Sequence, residues 1–410
     1  MSNRTILRRI LLALGGTAGV AFTTFVIAVL LVRTVSPAQF GIFSFHQVFV
    51  ALGYGLSNAL LGSPMMVGVN REGRDFGELA LSFGRMSLLL GLLAGAATFG
   101  LVLSFGEDGE TALAFALSSL FMLLRWFGRS LENTAHRPGV VLRSDLVFVL
   151  VMLGGCGWLV VQAAISLKAI AYLQLTSAVS GFVALGLPAL RAHGLGLIRG
   201  RMAEFGAAFK AQGRHALAGV LATEATANAH VYLVTALLGP AAFAPLAAAV
   251  LLFRPVPLVI MSLTQLERPR IARMLADGDG DGARRAIRLF RRVVGGFWLF
   301  NVAFAAGVVF FLLDAAGLDD YDPWVIQAAT AFWALIMGLR CLRGPESAWL
   351  QADGRFRELS RTMIASGAIA LPLVFAMLQF FEVVYSLAGV LAGELVAAAL
   401  IMRLVRRPTR

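Results

Sequence analysis

Charged residues are scarce in this chain of 410 residues. Only 14% of its positions are Asp, Glu, Lys or Arg, whereas 59% are hydrophobic and the mean hydropathy is +0.80. A large soluble protein needs more polar side chains than this to cover its surface. The composition therefore excludes a soluble globule and predicts an all-α polytopic membrane protein.

Cysteine is almost absent. The two thiols, Cys156 and Cys341, both lie in apolar segments, and neither has a second thiol at the spacing of a metal site. Disulfide bonds and zinc sites are therefore not expected.

Motifs of enzymes and of nucleic-acid-binding proteins are also lacking. The sequence has no nucleophile elbow, no glycine-rich phosphate loop with its lysine and no paired histidines at metal spacing. Its net charge of +12 is not accompanied by a basic run interleaved with aromatic residues. We therefore expect no enzymatic activity, no cofactor, no bound metal and no nucleic-acid partner.

Long apolar segments are what the sequence does contain. A segment that crosses about 30 Å of hydrocarbon needs roughly 20 residues. Twelve such spans are predicted, at residues 10–32, 41–66, 79–103, 112–135, 142–164, 168–190, 215–237, 242–263, 291–313, 324–349, 360–381 and 384–402. The first is too long for a signal-peptide core, so we interpret it as a retained span.

The connections between these spans alternate in charge. One side carries most of the arginines, from residues 4–9 at the start to residues 403–410 at the end. The other side carries acidic residues at 107–110 and 314–322. By the positive-inside rule, both termini and the basic connections are predicted to be cytoplasmic.

An internal repeat relates the two halves of the chain. Residues 35–40 (VSPAQF) resemble residues 238–243 (LGPAAF), and each copy follows the first span of its half. Six spans in each half preserve orientation, so the repeats are parallel. We predict two six-helix bundles around a central cavity, at residues 1–190 and 215–410, joined by a cytoplasmic amphipathic linker at residues 191–214.

Five arginines interrupt the apolar spans. Charged groups are costly in lipid and mark functional sites, and guanidinium groups suit phosphate oxygens. We predict that all five bind substrate: Arg125, Arg129, Arg254, Arg340 and Arg343. The alternative is that they extend towards the inner head groups or form structural ion pairs, for example Arg129 with Glu132 or Arg343 with Glu346.

The seventh span carries polar residues near its middle. Glu224 and Asn228 share one face of the predicted helix. A carboxylate in this position could couple transport to protons or sodium, because its ionisation would differ between conformations. The alternative is that Glu224 is a buried partner of Arg254 on the neighbouring helix.

Several short motifs carry a resemblance to a known family. They are the basic start of the chain, the turn at residues 36–41 (SPAQFG) and the end of the tenth span at residues 352–355 (ADGR). The counterpart of the last motif, residues 135–137 (AHR), lacks the glycine. In these features the chain resembles the polysaccharide transporter branch, the O-antigen and exopolysaccharide flippases, of the superfamily that also contains multidrug and toxin extruders.

The resemblance implies a function. It implies a monomer that moves a polyprenyl-pyrophosphate-linked oligosaccharide across the bacterial inner membrane by alternating access, with a polysaccharide polymerase and glycosyltransferases as partners. One alternative is a cation-coupled multidrug extruder, although its cavity should favour carboxylates over arginines. A second alternative is a membrane scaffold for polysaccharide assembly that transports nothing.

Overall fold

The computed structural model describes residues 3–70 and 73–406. Every regular element within these ranges is a helix, so the prediction of an all-α polytopic membrane protein is confirmed. Residues 71–72 and 407–410, which belong to predicted basic connections, lie outside the described residues, as do the side chains of residues 3–15. The chain divides into two compact units, residues 1–220 and 221–410.

Among its described residues, the first unit contains ten α-helices and the start of an eleventh. Their bounds are Asn3–Thr34 (α1), Pro37–Ser57 (α2), Ser63–Asn70 (α3), Phe76–Ser104 (α4), Gly109–Thr134 (α5), Pro138–Val161 (α6), Leu167–Val183 (α7), Leu187–Gly194 (α8), Gly196–Arg199 (α9) and Met202–Ala208 (α10). A π-helical turn at Asn58–Gly62 joins α2 to α3, and another at Phe209–Gly213 precedes α11.

The second unit holds the remaining helices. Their bounds are Arg214–Ala227 (α11, which begins in the first unit), Ala229–Leu238 (α12), Pro240–Leu251 (α13), Pro255–Ala276 (α14), Gly280–Phe311 (α15), Pro323–Ala352 (α16), Phe356–Phe380 (α17) and Ser386–Arg406 (α18). A short 3₁₀ turn at Val383–Tyr385 precedes α18.

All twelve predicted spans coincide with helices. Among the described residues, eight helices are long and apolar enough to cross a membrane, and two bent pairs raise the number to ten. The two remaining predicted spans are shorter apolar helices, Ala18–Thr34 within α1 and the pair α11–α12. Large apolar side chains such as Leu93, Val161 and Phe311 are exposed, as a lipid-facing surface requires.

The sixth predicted span, residues 168–190, is not one straight helix. It is divided into α7 and α8, which are bent by 103° relative to each other. Gly186 lies between them with a φ of +87°, a conformation that glycine adopts without strain, and Pro188 then begins α8. These two residues explain why the helix ends and restarts in a new direction.

The eighth predicted span, residues 242–263, is bent as well. Helices α13 and α14 meet at 55°, with residues 252–254 between them. Pro255 and Pro257 lack the backbone N–H groups that would continue the helix through this point. The Asn301 side-chain amide donates to the carbonyl of Leu252 at 3.0 Å, which satisfies one of the acceptors released by the break.

The repeated hexapeptide begins equivalent helices in the two halves. In the first copy Ser36 caps α2 and Pro37 is its first residue. In the second copy Gly239 precedes α13 and Pro240 is its first residue. Proline suits this position because the first N–H of a helix has no partner within the helix.

Helices α5 and α16 also begin and end alike. Asp108 caps α5 and Asp322 caps α16, each accepting a backbone N–H at 2.9 Å. The bond from the Thr111 backbone N–H holds the pKa of Asp108 below its usual value. At the other ends, Gly354 has a φ of +78° and His136 a φ of +59°. His136 therefore adopts the left-handed conformation for which its counterpart in the repeat is glycine.

Candidate functional site

The arginines of α5 form a buried cluster with one carboxylate. Arg125 Nη2 lies 2.5 Å from Asp145 Oδ1, and Arg129 Nη2 lies 2.9 Å from Asp145 Oδ2. Only 3% of the Arg125 side chain and 2% of the Asp145 side chain are exposed. The four-residue spacing places both guanidinium groups on one face of α5, so that a single carboxylate on α6 bridges them.

The helices around this cluster approach it closely. The guanidinium carbon of Arg125 lies 4.6 Å from the centre of the Phe148 ring. A Cβ atom on Gly181 would lie 2.7 Å from Arg125 Nε, and one on Gly16 would clash with the Asp145 carboxylate. Because any larger side chain at these two glycines would displace the ion pair, the local packing depends on their having none.

This arrangement corrects one predicted pairing. Arg129 bonds to Asp145 and not to Glu132, which instead lies 4.0 Å from Arg137 Nη1. The contacts of Arg125 and Arg129 favour the structural alternative, in which they form ion pairs within the bundle. Their role in substrate binding stays a prediction.

A second cluster of the same kind lies in the second unit. Arg340 Nε and Arg343 Nε on α16 each lie 2.7 Å from a different oxygen of Glu394 on α18, and Glu394 is fully buried. The alternative pairing of Arg343 with Glu346 is therefore not formed in this structure. Glu346 accepts a hydrogen bond from Arg291 instead.

The second cluster borders an open pocket. The pocket has a volume of about 230 Å³ and lies between α14 and α16. Arg340, Arg343, Thr264 and Ser347 contribute polar groups to its lining. Two guanidinium groups share one carboxylate here, and the buried Nη2 of Arg340 has no hydrogen-bond partner among the described residues. The pocket therefore offers excess positive charge, which suits an anionic group. The hydroxyls of Thr264 and Ser347 already donate to the backbone carbonyls of Ile260 and Arg343.

Arg254 lies in the bend between α13 and α14. Its side chain is half-buried, and none of the ion pairs in the described part of the chain involves it. The predicted pair of Arg254 with Glu224 is therefore not formed in this structure. Arg254 remains a candidate for binding an anion.

Glu224 lies in a small polar cluster of its own. Its Oε2 accepts hydrogen bonds from Asn228 Nδ2 at 2.8 Å and from the Tyr232 hydroxyl at 3.0 Å. The helix is interrupted at Asn228, where α11 ends and α12 begins. Glu224 is half-buried and forms no ion pair with a described arginine or lysine. This geometry keeps a carboxylate available to a proton or a small cation, as the predicted coupling role requires.

Sequence reasoning missed the acceptors of the two arginine clusters. Neither Asp145 nor Glu394 is among the site residues predicted from the sequence. A signal was present, because a carboxylate within an apolar span is energetically costly to bury without a partner. Tyr232 was also missed, although it lies one helical turn beyond Asn228.

Comparison with known proteins gives the fold. No protein-family model and no curated protein matches the sequence. A multidrug resistance MATE family transporter of the MOP superfamily, solved in an inward-facing conformation, superposes with a TM-score of 0.64 at 15% identity, over 94% of this chain and 93% of that one. A eukaryotic MATE transporter gives 0.64 at 16% identity, over 98% and 96%. The chain has the MATE transporter fold.

A third structure extends the comparison. An outward-facing multidrug resistance MATE transporter of the same superfamily gives a TM-score of 0.58 at 13% identity, over 98% of this chain and 96% of that one. The MATE fold agrees with the predicted twelve-helix architecture. At these identities the likeness shows the fold alone, so the superfamily and its polysaccharide transporter branch both stay predictions.

Proposed function

We propose that this chain is a membrane transporter that works by alternating access. The observation that carries the proposal is the MATE fold, which extends over almost the entire chain. Proteins with this fold are known in inward-facing and outward-facing conformations. The long apolar helices support a location in a membrane. We propose the bacterial inner membrane, with both termini in the cytoplasm, from the charge of the connections.

The function that the fold supports best is cation-coupled export of the MATE type. The superposed proteins include multidrug resistance transporters. The Glu224 cluster supplies what such coupling needs, a half-buried carboxylate held by Asn228 and Tyr232 and not by an arginine. Protonation or cation binding there would change the charge of α11 next to its break at Asn228.

Drug resistance tests this proposal. We expect that expression of the chain in a drug-sensitive bacterium raises the inhibitory concentration of cationic drugs. Glu224→Gln should abolish the effect, because the amide cannot be deprotonated. Asp281→Asn, an exposed acidic residue at the start of α15, serves as the control and should retain full resistance. Equal resistance with and without the Glu224 carboxylate would contradict the coupling role.

A second candidate is translocation of a lipid-linked oligosaccharide. It is supported by the polar pocket beside Arg340 and Arg343 and by the absence of an ion-pair partner for Arg254 in the described residues. An anionic pyrophosphate would complement this positive charge. A polysaccharide polymerase and glycosyltransferases are then the proposed partners.

Reconstitution distinguishes the two candidates. In proteoliposomes that contain a fluorescent polyprenyl-pyrophosphate-linked oligosaccharide, a flippase should bring the label within reach of a reductant outside the vesicle. Arg254→Gln should slow this step severely, whereas Arg288→Gln, an exposed arginine on α15, should not. If wild-type protein that confers drug resistance fails to move this lipid, the flippase candidate is excluded.

A further inference from the structure

The segment that follows α7 changes direction sharply relative to the predicted membrane span that α7 forms. Helix α8 is bent by 103° from α7, so it runs nearly perpendicular to it. If α7 crosses the membrane, α8 extends along the membrane surface. We call residues 187–202, which include α8 and α9, the interfacial strap.

One face of the strap is fixed against the first unit. His193 is buried, with its ring 5.7 Å from the Phe127 ring and 5.2 Å from the Phe182 ring, both edge to face. A Cβ atom on Gly84 of α4 would clash with the carbonyl of Ala192. The strap therefore contacts α4 directly through backbone atoms.

Two hydrogen bonds fasten the end of the strap to the same helix. Arg85 Nη1 donates to the carbonyl of Gly200 at 3.2 Å. The backbone N–H of Arg201 donates to the Ser82 hydroxyl at 3.0 Å. Packing and hydrogen bonds thus hold the strap in one position, and its other face is directed away from the first unit.

The outer face combines large apolar side chains with basic ones. The exposed fraction is 81% for Ile198 and 62% for Leu187. The other exposed apolar side chains are Leu195, Leu197 and Met202. Arg191, Arg199 and Arg201 are exposed between them, and no ion pair in the described part of the chain involves these three arginines. The one acidic residue in the sequence between positions 187 and 214, Glu204, is paired with Arg74.

We propose that the outer face of the interfacial strap binds anionic phospholipids at the membrane surface. Apolar side chains at this level can enter the boundary between head groups and acyl chains, and unpaired arginines attract lipid phosphates. The occupant follows from this charge and from the orientation of α8 along the membrane plane. The inference concerns the membrane partner and does not depend on which substrate is transported.

The depth of Ile198 tests the first part of the proposal. Cysteine introduced by Ile198→Cys can be labelled with an environment-sensitive fluorophore, because the native Cys156 and Cys341 are buried. In nanodiscs that contain phosphatidylglycerol, we expect quenching by spin-labelled lipids and protection from aqueous iodide. The control, Arg288→Cys on α15, should show the opposite. Equal access of iodide to both labels would overturn the proposal and would point to a protein partner or to a solvated surface.

Neutralising the three arginines of the strap tests the second part of the proposal, the preference for anionic lipid. Phosphatidylglycerol bound to the solubilised protein can be counted by native mass spectrometry. Replacing Arg191, Arg199 and Arg201 together with Gln should weaken binding about tenfold or more, given the attraction of each basic residue to an anionic surface. The matched control replaces three exposed arginines of α15, Arg284, Arg285 and Arg288. Equal loss in both triple variants, or no loss in either, would overturn the proposal.

Discussion

At the scale of single residues, two buried carboxylates pair with four of the five arginines that interrupt the apolar spans. Asp145 receives Arg125 and Arg129 in the first unit, and Glu394 receives Arg340 and Arg343 in the second. In each case an arginine pair one helical turn apart shares one acidic side chain, which leaves one excess positive charge. The second cluster also lines a pocket between α14 and α16.

The sequence could locate these arginines but not their partners. The apolar runs around Arg125 and Arg340 predicted that burying either charge without a counter-charge would be energetically unfavourable. Asp145 is 20 residues from Arg125, and Glu394 is 54 residues from Arg340, each on a different helix. Such pairs depend on how helices pack, whereas the predicted pairs within one helix, such as Arg343 with Glu346, depended only on spacing.

Removal of the Asp145 charge should destabilise the first unit. Asp145→Asn leaves the buried Arg125 guanidinium without its counter-charge, which costs about 3–5 kcal/mol when one member of a buried pair is lost. Thermal unfolding of the detergent-solubilised protein should therefore begin at a clearly lower temperature. Asp319→Asn, at an exposed acidic position, is the matched control and should unfold like the wild type. An unchanged unfolding temperature for Asp145→Asn would mean that the ion pair contributes little.

At the scale of helices, hydrophobic runs predicted that spans exist but not that two of them bend. Residues 168–190 and 242–263 are predominantly apolar, so that composition alone favours continuous spans. The bends occur at Gly186 with Pro188 and at Pro255 with Pro257. The signal for each bend lies in the prolines of the local sequence, because proline removes a backbone donor wherever it occurs in a helix.

The C-terminal cap of α5 offers a test at this scale. His136 adopts a φ of +59° with its side chain exposed, whereas the equivalent position after α16 is Gly354. A non-glycine residue in this conformation costs roughly 1–2 kcal/mol. His136→Gly should therefore raise the unfolding temperature, and Gly354→Ala should lower it, as measured by thermal unfolding. The same direction of change in both variants would contradict the proposed equivalence of the two caps.

Two glycines within α4 should respond oppositely to the same substitution. A Cβ at Gly84 would clash with the backbone of the interfacial strap, whereas nothing lies within 4 Å of a Cβ at Gly100. Gly84→Ala should destabilise the protein by about 1–3 kcal/mol through overpacking. Gly100→Ala should be neutral or stabilising, because alanine favours the helix by roughly 1 kcal/mol. Thermal unfolding of both variants measures the difference, and equal behaviour would argue against close packing of the strap on α4.

At the scale of the whole molecule, the charge pattern and the repeat were informative because each averages over many residues. The apolar segments gave twelve spans, whose connections alternate between basic and acidic, and all twelve coincide with helices. The repeat at residues 35–40 and 238–243 predicted equivalent helix starts, which the structure has at Pro37 and Pro240. The substrate could not be predicted in the same way, because it depends on a few side chains and their contacts.

Alternating access is the central claim, and distances between spin labels test it most directly. One doubly labelled protein would carry Ser104→Cys and Asp319→Cys, at acidic connections, and another Arg137→Cys and Arg357→Cys, at basic connections. Electron–electron double resonance in nanodiscs should give two populations for each pair. A change of ion gradient or substrate should shorten one distance while it lengthens the other. A single unchanged distance for both pairs, in protein that is folded and supplied with substrate, would contradict the account and favour a membrane scaffold.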